Sequence, residues 1–418
     1  MSIVYKLEQT PEQYLSEFEE LLKKAVERKA SDVHLKTGLP VVVRVNGQLY
    51  YLNDEGNEAP PRLSSLVIQG FAYAVMTPHQ ATRYEAGEEI DCSHEIAGFG
   101  RFRINICQQK SHPRIVARHI PDMIKNLDDL GLPPILKDLC SNLRGLILVT
   151  GTTGSGKSTT LAAMIDYIVR TRSCHVLTIE DPIEFNFKDR KSVVTQREVG
   201  LDTDSFSKAL KFALRQDPDV ILIGEMRDEE TVRMALSAAE TGHLVLSTLH
   251  TQDAPETINR ILSNIEPEAL DQVRSQLANV LIGVVSQRLV KTIDRKGRCV
   301  ATEILVTNAR VRELIADPLK TIELANVIEV SGHQGMQSFD QCLLALVKTG
   351  KVSKEEALTQ CTHLENFQLM LSGITGGKMI PAGEEEKILS RKDRIQRASA
   401  TKTEISQKIE IDFKPKKG

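Results

Sequence analysis

A chain of 418 residues can bury more than one core, and its length suggests two or three domains. Its formal net charge is only −3, with 53 Lys+Arg against 56 Asp+Glu, a balance that argues against a protein built to neutralise nucleic-acid phosphates. Aromatic residues are 4% and Trp is absent, so stacking platforms for single strands or sugars are not favoured either.

No apolar run approaches the ~20 residues needed to span a bilayer, and the opening Met1 to Gln13 is too polar for a secretory signal, which points to the cytoplasm. The cysteines Cys92, Cys107, Cys140, Cys174, Cys299, Cys342 and Cys361 are scattered and odd in number, as expected of reduced core thiols. No pair is spaced C-x-x-C, so no structural zinc is expected.

Residues Thr10 to Arg28 carry apolar positions at helical spacing (Tyr14, Leu15, Phe18, Leu21, Leu22, Ala25, Val26), with acids early and bases late, as a helix dipole prefers. The period then changes to two: Ser31 to Lys36 and Val41 to Leu49 read as strands, the second turning at Asn46-Gly47. A polar loop near Asn53 to Arg62 precedes a helix over Leu63 to Met76. Further strands at Glu89 to Ile96 and Arg101 to Gln108 are joined by a hairpin at Gly98-Phe-Gly. This first module, residues 1–120, is read as an α+β domain. His119-Ile-Pro121 and Gly131-Leu-Pro-Pro134 bracket a linker, residues 121–132, because a residue before Pro avoids the helical region.

From residue 133 strands and helices alternate. Buried strands are expected at Leu146 to Thr150, His175 to Ile179, Val220 to Gly224 and Leu244 to Thr248, with helices around Thr159 to Arg170, Phe206 to Arg215 and Glu229 to Glu240. That rhythm defines an α/β fold with a mostly parallel sheet covered on both faces. After about residue 255 the chain reads as largely helical up to residue 372, and 373–418 is a polar tail too poor in apolar residues to fold alone.

The run Gly145 to Thr160 is a strand feeding a glycine-rich turn and then a helix. Gly151, Thr152, Thr153, Gly154, Ser155, Gly156, Lys157, Ser158 and Thr159 form the G-x-x-x-x-G-K-[ST] cradle and its flank. In that pattern the backbone N–H groups surround a phosphate, the Lys reaches the β- and γ-phosphates of a nucleoside triphosphate, and the Ser hydroxyl ligates Mg²⁺. Acids follow two other strands: Glu180, Asp181 and Glu184 after the second, and Glu225 after Asp219 to Ile223. In the latter, Gly224 occupies the slot where Walker B sequences carry an Mg²⁺-binding Asp. Glu225 is left to orient or deprotonate the attacking water. Solvated strand-end acids are the plainer reading of Glu180 and Asp181.

His243 and His250 stand at the two ends of one buried strand and read as sensors of the γ-phosphate. Positive charge for a phosphoryl transition state could come from a neighbouring subunit or domain. Candidates are Arg101, Arg103, Arg114, Arg118, Arg215, Arg227, Arg260 and Arg288. Arg101 and Arg103 are placed by the strand period on one face, and so toward one anion.

Taken in order, the phosphate loop, Ile179-Glu-Asp-Pro-Ile-Glu-Phe, Gln196-Arg-Glu-Val-Gly, Leu214-Arg-Gln-Asp-Pro-Asp, Gly224-Glu-Met-Arg-Asp and Thr241-Gly-His through Leu249-His-Thr resemble the boxes of the type II/IV secretion ATPases. The likeness covers residues 10–370 and is strongest to the PilT family of type IV pilus retraction ATPases. It implies a PAS-like N-terminal domain, a RecA-like ATPase domain and a homohexamer that hydrolyses ATP with Mg²⁺. By the same resemblance Lys157, Glu184 and Glu225 are catalytic, Ser158 holds Mg²⁺, His243 and His250 are sensors, and Arg101 and Arg103 contact a neighbour's nucleotide. The implied partners are an inner-membrane pilus platform protein, pilin as indirect substrate and a paralogous retraction ATPase, at the cytoplasmic face of the inner membrane, with no nucleic acid.

Extension and type II secretion ATPases usually carry a long extra N-terminal domain and a tetracysteine insert, which this sequence does not show. Ala309 to Asp317 resembles the retraction segment AIRNLIRE at Arg312, Leu314 and Ile315, a mixture suited to a docking surface, but Ala316 stands where the family shows Arg. Val194 to Thr203 also resembles the accessory paralogue PilU. Motor, accessory subunit and nucleic-acid translocase remain the alternatives at this point.

Overall fold

The computed structural model describes residues 9–373 except 46, 53–60, 121–122, 227 and 296. The tail expected beyond Gly373, most of the loop near Asn53 and the candidate Arg227 therefore lie outside the described residues. The described chain divides between Cys342 and Leu343 into two compact units.

Thr10 opens α1 (Pro11–Glu27): its hydroxyl accepts the N–H of Gln13, whose side chain accepts the N–H of Thr10, and Pro11 fits the first turn. The strands β1 (Asp32–Lys36), β2 (Val42–Val45) and β3 (Gln48–Tyr51) follow. Then come α2 (Ser65–Val75), α3 (Pro78–Glu85), β4 (Ile90–Ile96), β5 (Gly100–Gln109) and β6 (His112–Ile120). The six strands form one antiparallel sheet, ordered β3-β2-β1-β6-β5-β4. Helices α1 and α2 share its core, where Phe18 and Phe71 stack at 5.3 Å and Tyr14 meets Phe71 edge-on at 6.0 Å.

Along β5, Phe102, Ile104 and Ile106 point into that core while Arg101 and Arg103 share the other face. The sequence does not predict β6, since His119-Ile-Pro121 reads as the approach to a linker. In fact Ile115 and Ala117 alternate into the core, and β6 pairs along β5 from His112 to Ile120.

The second layered region runs α4 (Ile135–Cys140), β7 (Gly145–Thr150), α5 (Lys157–Thr171), β8 (His175–Glu180), β9 (Val193–Glu198), α6 (Phe206–Ala213), β10 (Val220–Ile223), α7 (Glu229–Glu240), β11 (Leu244–Leu249), α8 (Ala254–Ser263), α9 (Leu270–Val280), β12 (Leu281–Lys291), β13 (Arg298–Val306), α10 (Ala309–Ala316) and α11 (Leu324–Val330). Its sheet is ordered β13-β12-β7-β11-β10-β8-β9 and is parallel except for the antiparallel β12–β13 pair. Both faces are covered. Leu146, Leu148, Ile221, Ile223 and Val245 pack toward α6, α7 and α9, whereas Ile147, Val149, Val220, Leu222 and Leu246 pack toward α4 and α5. The chain is thus an α/β protein with an N-terminal sheet domain followed by a RecA-like one.

The expected strands and helices of this region appear, within a few residues at their ends. The reading of the chain after residue 255 needs correction, because β12 and β13 form a long hairpin there. An apolar run such as Leu281 to Val285 has no period that separates a buried strand from a buried helix, and the β-branched Ile282, Val284 and Val285 tip it to strand. A second correction concerns Leu314 and Ile315. Both are fully buried on the inner side of α10, so they belong to the core and not to a docking surface, and only Arg312 of that trio is exposed.

The chain continues through α12 (Phe339–Lys348), α13 (Lys354–Gln360) and α14 (Leu364–Leu371). Ser353 caps α13, and Ala357 and Phe367 are buried. Among the described residues no helix is long and apolar enough to cross a membrane.

Candidate active site

Parallel α/β sheets gather ligands at the carboxyl ends of their strands. β7, β8, β10 and β11 all end at one edge, and each is followed there by polar residues singled out above.

After Thr150 the backbone turns through Gly151 at φ +143°, where a Cβ would lie 2.5 Å from Ser155 Oγ and 2.6 Å from the Gln287 carbonyl oxygen. Only glycine fits. Gly154 and Gly156 adopt left-handed conformations at φ +80° and +94°. Gly156 begins α5 without a side-chain cap, so the first N–H groups of that helix are left to face an anion. Lys157 Nζ donates to the carbonyl oxygens of Gly151 at 2.7 Å and Thr152 at 3.1 Å, lying across its own loop. Burial lowers its pKa, and the Glu184 and Glu225 carboxylates pull the other way, so both acids reach it electrostatically. Ser155 Oγ is buried with no hydrogen-bond partner, an orphaned donor that a phosphate oxygen would satisfy.

The cleft beside this loop encloses about 570 Å³ and is lined by Lys157, Ser158, Glu184, Glu225 and His250, with Gly154 and Thr159 on the loop side. Glu180 also lines the cleft, but its carboxylate is tied off. It is 8% exposed, and its Oε1 accepts from Thr178 Oγ1 at 2.7 Å and Gln196 Nε2 at 3.1 Å, while burial pushes its carboxyl pKa up. On the next strand Thr248 Oγ1 donates to the Gly224 carbonyl at 2.6 Å, which fixes the turn that carries Glu225. His250 Nε2 lies 3.7 Å from Glu225 Oε2. A Cβ on Gly224 would sit 3.3 Å from the Ile179 carbonyl oxygen and 3.4 Å from the Phe206 ring, so an Asp in that slot would be crowded.

Several expected residues are not brought here within the chain: among the described His and Arg candidates, His243, Arg101, Arg114, Arg215, Arg260 and Arg288 do not line the cleft. His243 precedes β11, and its carbonyl accepts the N–H of Gly145 at the amino edge of the sheet. The six residues of β11 at about 3.3 Å each place it on the order of 20 Å from the cleft. Its Nδ1 is 2.9 Å from the Ala238 carbonyl oxygen, an end-of-helix contact. Arg101 is diverted as well, because its Nη2 donates to the buried Glu198 carboxylate at 2.6 Å. Arg103 does line the cleft, with Nη2 3.7 Å from Asp91, and so does Arg118, whose Nε donates to Asp32 at 2.8 Å. Arg288 lies instead over the Phe339 ring at 3.9 Å.

Sequence reasoning missed Arg298 and Leu289. Both line the cleft because Lys291 pairs with Arg298, which puts the turn between β12 and β13 at the carboxyl edge of the sheet. No local signal marks them, and only the hairpin reveals them.

A parallel sheet whose central strand feeds a lysine-bearing phosphate loop, with acids ending two neighbouring strands, defines a P-loop ATPase. The family model for type II/IV secretion system proteins matches residues 8–363, and the chain belongs to that family. Within it, the chain is a member of the PilT family of type IV pilus retraction ATPases. It is 44% identical over 348 residues to the type IV pilus retraction ATPase PilT of Pseudomonas aeruginosa, covering 83% of this chain and 99% of that protein. It is 39% identical over 355 residues to the type IV pilus ATPase PilU of the same bacterium, covering 85% and 91%. A crystal structure of the pilus retraction motor PilT with bound ADP superposes with a TM-score of 0.74 at 45% identity, covering 83% of this chain and 97% of that one.

Proposed function

We propose that this chain is an ATP-hydrolysing motor that works as a homohexamer to drive type IV pilus retraction at the cytoplasmic face of the inner membrane. The observation that carries this reading is the meeting of Lys157, Glu184 and Glu225 in one electrostatic neighbourhood at the carboxyl edge of the sheet. There the loop N–H groups and Lys157 hold the β- and γ-phosphates, and the Ser155 hydroxyl gains the acceptor it lacks. Ser158 would hold Mg²⁺, which neutralises charge developing on the phosphate oxygens. Glu225 orients the attacking water and takes its proton, Glu184 acts on Lys157 from the same cleft, and His250 links Glu225 to the state of the γ-phosphate. Arg103, Arg118 and Arg298 supply positive charge to the transition state. An inner-membrane platform protein receives the motion, and pilin is its indirect substrate.

The test is Glu225→Gln. It should bind ATP normally and hydrolyse it at least ~100-fold more slowly, within the range expected for loss of a general base. Near-normal turnover would transfer that role to Glu184. In cells, deletion of the gene should leave excess pili and no twitching, whereas loss of pili would mean assembly. One observation favours a second reading, an accessory retraction ATPase: Ala316 is exposed at the end of α10 where retraction motors carry Arg. Restoration of twitching by this chain alone, in cells lacking any paralogue, would dispose of it.

A further inference from the structure

The loop 181–187 carries Glu184 between β8 and β9, and its backbone is held by two side chains of β9. Gln196 accepts the Phe187 N–H at 2.8 Å and donates to the Phe185 carbonyl at 2.9 Å. Two residues along the same strand, Glu198 Oε2 accepts the Ile183 N–H at 3.1 Å. Glu184 is therefore bracketed by Ile183 and Phe185, each fixed by a side chain of β9. The Asn186 amide adds a tie to Glu95 of β4 at 3.3 Å.

Glu198 is the unusual member of this set. Its side chain is 2% exposed, and its remaining partners come from the N-terminal sheet. Arg101 Nη2 donates to Oε2 at 2.6 Å, and the Ser93 hydroxyl lies 2.8 Å from Oε1 and 3.0 Å from Oε2. Arg101 Nη2 also donates to Ser93 Oγ at 2.6 Å, which closes the group. A buried carboxylate deprived of its cation must move toward water or take up a proton. Either response disturbs the bond to Ile183, one residue from Glu184.

We propose that Glu198 is a positioning residue which, held by Arg101 and Ser93 of the N-terminal sheet, sets the loop that carries Glu184, so that ATP turnover depends on the seating of that sheet. The proposal rests on the reading of Glu184 given above. It also accounts for Arg101, which shares a strand face with Arg103 yet does not line the cleft. The phosphate loop itself is held by β7, α5 and β12 and by none of these groups, so a displaced loop 181–187 should act on turnover more than on nucleotide affinity.

The linkage is tested on the full-length protein by ATPase kinetics of Arg101→Met, Glu198→Gln, the double variant and Arg101→Lys, with elution volume and melting temperature measured on each. Either single change should lower kcat about 10-fold and leave KM within about 2-fold. The double variant should be no slower than the worse single, as residues acting through one contact behave. Arg101→Lys, which keeps charge and a donor, should regain most of the loss, a recovery that a merely structural role would not track. Wild-type kcat in Arg101→Met, losses that multiply, or a raised KM with normal kcat would overturn the proposal. If Arg101→Met does not assemble, the same cycle is read with Ser93→Ala, which removes the other partner of Glu198, against Glu198→Gln. Glu184→Gln measured alongside separates two failures. Normal turnover there overturns the role of Glu184 and with it the route from Glu198 to the chemistry, whereas slow turnover there beside a normal Arg101→Met overturns the coupling alone.

Discussion

Glu303 on β13 offers a sharp test of how this interior is balanced. The residue is 8% exposed and accepts the Ala254 N–H at 2.8 Å where α8 begins. Burial is the main influence and pushes its pKa up to about 7 from an ordinary 4.5. The Ala254 N–H and Arg288 oppose the rise, and Asp253 and Asp340 add to it. The folded chain therefore keeps this proton until about pH 7, whereas the unfolded chain releases it near 4.5. Between those values the native state binds more protons, so its stability falls as pH rises through the window and stays lower above it.

At about 1.4 kcal/mol per pH unit, the gap corresponds to roughly 3 kcal/mol. Glu303→Gln keeps an acceptor for Ala254 and cannot ionise. It should match the wild type near pH 4.5 and exceed it by up to about 3 kcal/mol at pH 8. Since the chain has no Trp, denaturant unfolding is best followed by far-ultraviolet circular dichroism, at one protein concentration from pH 5 to 8. Stability curves that stay parallel across that range would refute the reasoning.

Gly151→Ala should abolish ATP binding in calorimetry, because the new methyl meets both Ser155 and the backbone of Gln287; retained affinity would show that the loop can relax. His250→Ala should slow hydrolysis roughly 10-fold, whereas His243→Ala should leave the kcat of the assembled protein unchanged, and the reverse pattern would restore His243 as a sensor. Leu314→Ala should cost about 2–5 kcal/mol in denaturant unfolding, as emptied core sites do. Arg312→Ala on the exposed side of the same helix should keep melting temperature and ATP turnover yet fail to restore twitching, and normal twitching would end the idea of a coupling role.

The phosphate loop was legible because its chemistry is local: glycines, Lys157 and Ser158 fall within one short run, and the apolar residues Leu146 to Val149 precede them. Glu225 was legible for the same reason, as an acid that closes a buried strand. His243 was misjudged because a sequence shows that two histidines bracket a strand but not which end faces the site. The strand period correctly put Arg101 and Arg103 on one face, yet their different partners depend on Glu198, a residue of the other sheet almost a hundred positions away. Arg298 had no signature at all, since only the pairing of β13 with β12 carries it to the cleft. The distinction between Leu314 and Arg312 likewise needed the packing of α10 against its neighbours.

The β12–β13 hairpin has a mechanical consequence. Its ladder is continuous from Lys291 opposite Arg298 to Gly283 opposite Val306, and at about 3.3 Å per residue those nine rows make a ribbon on the order of 30 Å long. One end holds Leu289 and Arg298 against the cleft. The other end leads two residues later into Asn308, whose side chain accepts the N–H of Val311 and starts the helix that bears Arg312. A continuous antiparallel ladder stretches very little, and β12 also pairs with β7 from Leu281 to Ser286. A displacement at the cleft end therefore cannot be taken up within the ribbon, and it should arrive at the far edge of the sheet as movement of the root of α10.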